Sequence, residues 1–134
     1  MATRKKTIDP VIDLKKQIEK LTVQLNKART KKVSDAEKEL IKQQRSLLAS
    51  QKKLESVKTR RSAASAKTKL RKTTATIAAV VKARDAVTAQ AATTALIKET
   101  VKDAKQILDG AKQDLKLAIA IAKAADKSTS ILIK

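Results

Sequence analysis

The sequence predicts an all-α fold of elongated helices with coiled-coil (heptad) seams, arranged as an antiparallel helical hairpin in the N-terminal half. Three observations carry it. The 134 residues contain one Gly and one Pro, so little interrupts a helix. The 42% apolar fraction leans on 23 Ala residues, counted along the chain, which bury little area each and suit narrow seams better than a thick core. Finally, Leu, Ile, Val and Ala recur at alternating spacings of three and four over long stretches, the signature of a helix with one apolar stripe.

The first helix has a clear start. Asp9 is placed to accept hydrogen bonds from the orphan amides as N-cap, and Pro10 occupies the first helical position, where its missing N–H costs nothing. From there Val11, Leu14, Ile18, Leu21, Leu25 and Ala28 form an a/d seam. A second seam runs through Ala36, Leu40, Gln43, Leu47, Ser50, Leu54 and Val57, displaced from the first, because continuing the first count would put Lys32 and Asp35 in the stripe. The displacement argues for a chain reversal at residues 30–34. Ser34 and Glu37 fit a capping box there, and a reversal pairs Leu25 with Leu40, Ile18 with Leu47 and Val11 with Leu54. The alternative is a continuous helix with a four-residue stutter; the reversal is preferred.

Between Glu55 and Asp85 lie nine basic residues, Lys58, Arg60, Arg61, Lys67, Lys69, Arg71, Lys72, Lys82 and Arg84, and no acidic one. Drawn as a single helix, Ala63, Ala66, Leu70, Ile77 and Val81 make a thin apolar keel with basic flanks. Thr73, Thr74, Thr76, Ser62 and Ser65 lower its helix propensity, so ordering on binding is expected. A last seam follows at Ile97, Val101, Ala104, Leu108, Ala111, Leu115, Ala118, Ala122 and Ala125 and passes Gly110 without a change of phase. One helix with a weak point at Asp109-Gly110 is preferred over a Gly-capped stop. The expected organisation is therefore a basic arm over residues 1–9, a hairpin over 10–60, a basic helical segment over 61–84, an Ala-rich helix or helices over 85–127 and a C-terminal tail over 128–134, either frayed or a short sticky segment ending in Ile131-Leu132-Ile133.

Composition narrows the chemistry. With no His and no Cys, the usual proton shuttle, the usual zinc ligands and any disulfide framework are ruled out, and one Gly leaves no Gly-rich phosphate loop. Glu99 and Asp103 stand four apart, but Lys98, Lys102 and Lys105 around them favour exposed ion pairs over a divalent ion. No enzyme activity, metal, cofactor or small-molecule substrate is expected. The start Met1-Ala2-Thr3-Arg4-Lys5-Lys6 lacks the apolar core of a secretory signal, and no apolar run is long enough to cross a bilayer. The expected location is cytoplasmic, at the nucleoid.

The net charge of +19 speaks to partners. A solvated helix usually offsets its Lys residues with Glu four positions away, and the stretch from Lys58 to Arg84 does not. Phosphate is the polyanion that relieves such repulsion, and neutralising several phosphates gives strong, salt-dependent, sequence-independent binding. The nine basic residues, with Arg4, Lys5 and Lys6 as a supplementary arm, are the candidate nucleic-acid contacts, with DNA preferred to RNA. Without aromatic residues there is nothing to stack on single strands. Rival expectations are a coiled-coil adaptor with an acidic protein partner and a peripheral binder of anionic membranes, the latter weakened by missing aromatic anchors. Several apolar stripes on one thin chain also imply a homo-oligomer built through a heptad seam.

Lys27-Ala28-Arg29-Thr30-Lys31, Lys82-Ala83-Arg84, and Leu115-Lys116-Leu117-Ala118 followed by Lys123 and Ala125 resemble, in order, pieces of the helical portion of AlgP-like bacterial histone-like transcriptional regulators. The resemblance implies a histone-like, nucleoid-associated protein that regulates transcription. Those regulators carry a long Lys-Pro-Ala tail to which DNA binding is attributed. Nothing in these 134 residues corresponds to it, so the resemblance implies DNA binding through the helical body.

Overall fold

The computed structural model describes residues 9–133. Two long helices, α1 (Pro10–Leu70) and α2 (Thr74–Ile133), account for all but a few of them, and they pack against each other as a helical hairpin. The all-α class and the hairpin agree with the sequence, and the N-terminal cap is as expected. The Val11 amide donates to Asp9 Oδ1 at 3.0 Å and the Asp13 amide to the Asp9 carbonyl at 3.0 Å, with Pro10 as the first helical residue.

The reversal lies elsewhere. α1 is helical straight through residues 30–34, and the chain turns at 71–73 instead. Ser34 and Glu37 therefore do not start a helix, the pairs proposed across residues 30–34 do not form, and residues 61–84 are two helix ends joined by a turn rather than one basic helix. The capping chemistry that stops and restarts the chain belongs to Thr73 and Thr76. The Thr76 amide donates to Thr73 Oγ1 at 3.2 Å and the Thr73 amide donates to Thr76 Oγ1 at 2.8 Å, which is the reciprocal exchange of a capping box with a Thr hydroxyl in place of the usual carboxylate. The Arg71 amide closes the last turn of α1 on the Lys67 carbonyl at 2.9 Å, and Thr68 Oγ1 reaches the Thr76 carbonyl across the turn at 3.2 Å.

The described residues fall into two compact units, one made by Ala36–Leu108 and the other by the residues up to Asp35 and from Asp109 on. The first holds the reversal. On its α1 side the buried and half-buried positions are Ala36, Leu40, Gln43, Leu47, Ser50, Leu54, Val57, Arg61, Ala64, Ser65 and Thr68; on its α2 side they are Thr76, Val80, Ala83, Val87, Gln90, Thr94, Ile97, Val101, Ala104 and Leu108. Apart from Ser65, both sets alternate strictly between four and three, so the second and last seams read from the sequence are the faces that meet. No large side chain among the described residues is fully buried. This core is a thin strip in which Ala, Val, Ser and Thr outnumber Leu and Ile.

A polar circuit sits in the middle of that strip. Gln90 Nε2 donates to Ser50 Oγ at 2.9 Å, and Thr94 Oγ1 donates to the Gln90 carbonyl at 2.9 Å. With the Thr94 hydrogen committed, the 2.7 Å contact between Ser50 and Thr94 has Ser50 as donor. Each hydroxyl of this buried pair is thereby satisfied, and a slip of the helices by one turn would break both bonds that Ser50 Oγ makes to α2. Ser50 with Thr94 and Thr68 with Thr76 are both symmetric about residue 72, which fixes an antiparallel register.

In the other unit Arg29 Nε donates to Asp114 Oδ2 at 3.3 Å, and Val33, Ala111, Leu115 and Ala118 are buried or half-buried. Every residue from 10 to 28 on α1 and from 119 to 128 on α2 is exposed. The first seam is thus not buried among the described residues: Val11, Leu14, Ile18, Leu21 and Leu25 are 49–62% exposed. Ala122 and Ala125 of the last seam are likewise exposed. α2 stays helical through Gly110 and on to Ile133, so the backbone of residues 128–133 is helix and not a frayed tail.

Spin labels at Lys53 and Ala91, symmetric about residue 72, are expected to lie within about 20 Å in a single chain, since packed helix axes stand about 8–10 Å apart. Labels at Lys38 and Lys67, 29 residues apart on α1, should lie near 43 Å at about 1.5 Å per residue. A short distance for the second pair would return the reversal to the middle of α1. A Cβ built on Gly110 meets nothing within 4 Å, so Gly110→Ala should raise stability by roughly 0.5–1 kcal/mol through helix propensity. A lower melting temperature for that variant would show the helix to be broken there.

Candidate nucleic-acid interface

The turn at 71–73 gathers the basic residues. Lys58, Arg60, Arg61, Lys67 and Lys69 stand on the last four turns of α1, Arg71 and Lys72 in the connection, and Lys82 and Arg84 on the first turns of α2. All nine therefore lie at the closed end of one unit, Ala36–Leu108. Eight are exposed and Arg61 is half-buried in the seam. The register about residue 72 sets Arg60 level with Arg84. Arg60 and Lys82 also flank one shallow groove, whose apolar floor is Val57, Ala64, Ala79, Ala83 and Ala86.

The keel drawn from the sequence does not face α2. Ala63, Ala66, Leu70, Ile77 and Val81 are all exposed, because the face that packs is the one through Arg61, Ala64, Thr68, Thr76 and Val80. A one-helix drawing put residues on either side of the turn on a common wheel, and the turn breaks that wheel at residue 71. Arg4, Lys5 and Lys6 lie outside the described residues.

No carboxylate lies between Glu55 and Asp85, and the one ion pair among the described residues, Arg29 with Asp114, belongs to the other unit. Lys67 and Lys69 sit in the last turn of α1, where they complement the negative end of its dipole. Arg60, Arg61, Arg71 and Lys72 have no carboxylate within four residues along the chain. Among the described residues no group of three or more acidic side chains is placed to hold a metal ion.

The molecule is thus defined as a helical hairpin with a strongly basic closed end. No protein-family model, curated protein or solved structure matches this chain.

Crowding nine cations at one end has a cost that salt relieves. The melting temperature should rise as ionic strength goes from about 0.01 M to 0.15 M and the screening length falls from about 30 to 8 Å. Replacing Lys67, Lys69, Arg71 and Lys72 together by Gln should raise it at low salt and flatten its salt dependence. A variant that melts with an unchanged salt dependence would mean that these charges do not interact.

Proposed function

We propose that this protein is a histone-like, nucleoid-associated DNA-binding protein that grips the phosphate backbone with the closed end of its hairpin and reads no sequence. One observation supports the reading above the others: the turn folds a single acid-free run, Lys58 to Arg84, back on itself, so that its nine cations stand at one end of the hairpin. Phosphates spaced along a duplex are the ligand that satisfies several such charges at once, and the release of their counterions supplies the driving force. Exposed Lys and Arg heads on long stems adapt to a regular backbone without a preformed pocket. The resemblance to AlgP-like regulators points the same way and extends the proposal to a role in transcription.

A second reading, a helical adaptor that engages another helix, is favoured by a different observation, the exposed aliphatic stripe on α1 between residues 11 and 25. It concerns another part of the chain and is compatible with the first.

If the closed end contacts about six phosphates, log K for duplex DNA should fall against log salt with a slope of roughly −5, at about −0.9 per contact. Gln at positions 67, 69, 71 and 72 together should flatten that slope by up to about 3–4 on the same rule. Helicity should hardly change, because Gln and Lys have similar helix propensity. Titrations of duplexes of unrelated sequence, RNA and anionic vesicles over a salt series check this. Equal binding by parent and variant at every salt concentration would make the basic end a solvated surface only.

A further inference from the structure

Residues 10–28 form an amphipathic helix whose apolar stripe is left exposed among the described residues. Val11, Leu14, Ile18, Leu21 and Leu25 follow each other at three, four, three and four, and each leaves about half or more of its surface in solvent. Nothing in the local chemistry explains that exposure. A single aliphatic residue on a surface is ordinary, whereas five on one stripe mark a contact face.

We propose that this stripe is a homodimer interface, in which α1 of one copy pairs in parallel with α1 of a second copy over residues 11–28. Three observations select this occupant. First, the stripe is itself a heptad seam, with Val11, Ile18 and Leu25 at a and Leu14, Leu21 and Ala28 at d. β-branched residues at a with Leu at d favour a parallel two-stranded pairing. Second, the flanks tolerate it. In a parallel pair, Gln17 faces Thr22 of the second copy and Gln24 faces its Arg29, so no like charges meet at the positions that set partner choice. The segment from Pro10 to Ala28 carries four Lys against Asp13 and Glu19, a net charge of only +2 in a chain of +19. Third, the area is of the right order: five side chains exposing roughly 100 Å² each would withdraw up to roughly 1,000 Å² when two stripes meet, the threshold for a specific interface.

The interface does not depend on the DNA-binding reading. Where both hold, a dimer carries two basic closed ends, and a protein with two phosphate-binding ends can hold two duplex segments.

The chain has no Cys, so single cysteines report the pairing directly. Sedimentation of the full chain in DNA-free buffer should give twice the monomer mass, and Ile18→Lys with Leu21→Lys should return it to a monomer. Leu21→Cys, a milder change, should cross-link quantitatively to itself on oxidation. In a mixture of Leu14→Cys and Leu25→Cys chains, each should cross-link to its own kind. A parent chain that stays monomeric at every concentration overturns the proposal, and so does a dimer that survives both lysines. Predominant cross-links between positions 14 and 25 would overturn the parallel orientation. DNA titrations of the same variants, scored separately, show whether the closed end binds whatever the outcome here.

Discussion

The phase of one apolar repeat governs this hairpin. Along α1 the positions that meet α2 keep a strict alternation of four and three from Arg29 through Thr68. Counted backwards, that alternation reaches Asn26, Thr22, Glu19 and Lys15, while the aliphatic residues sit one position earlier, at Leu25, Leu21, Ile18 and Leu14. One position is about 100° of rotation on a helix. The helix runs on unbroken and the apolar stripe leaves the shared face, so a uniform element acquires two different surfaces. One surface is spent within the chain. The other stays exposed.

The same phase shift explains why the reversal was misplaced in a reading of the sequence alone. A seam that jumps by one position is equally consistent with a chain that turns and with a straight helix whose stripe changes face, and Ser34 with Glu37 supplied plausible capping chemistry for the turn. What separates the cases is what the second half offers as a partner. The seam from Ile97 to Ala118 was legible, including its passage through Gly110, and so was the seam from Ala36 to Val57; that each is the other's complement was not, because heptad seams match one another in many registers. The register is set by particular polar atoms, the circuit of Ser50, Gln90 and Thr94. Polar residues in an apolar repeat lower stability and raise specificity, and nothing in their spacing announces which of them will meet.

The candidate site was half legible for a related reason. All nine cations could be listed from the sequence, because a run without acids is visible in one dimension. Their gathering at one end could not, since it depends on Thr73 and Thr76 acting as a capping box. In one dimension, three Thr residues within four positions signify only a weak helix. They are better read as a stop and a start, because a hydroxyl that bonds nearby backbone competes with helix in the interior and stabilises it at the N-cap. The keel through Leu70 and Ile77 failed for the same cause: a helical wheel has no meaning across a turn.

The allocation of side chains by size ties these points together. The strip between the helices in the unit that holds the turn is dominated by Ala, Val, Ser, Thr and Leu, and no large side chain in it is fully buried. Meanwhile Ile18 and Leu21 of α1 and Leu117 and Ile121 of α2 are each about 61–62% exposed. At roughly 25 cal/mol per Å², aliphatic area left in water is stabilisation forgone, and a two-helix chain with a thin seam has little to forgo. Burial of Ile18 and Leu21 in the proposed dimer would recover their share of that area, and the stability of the chain would then rise with its concentration.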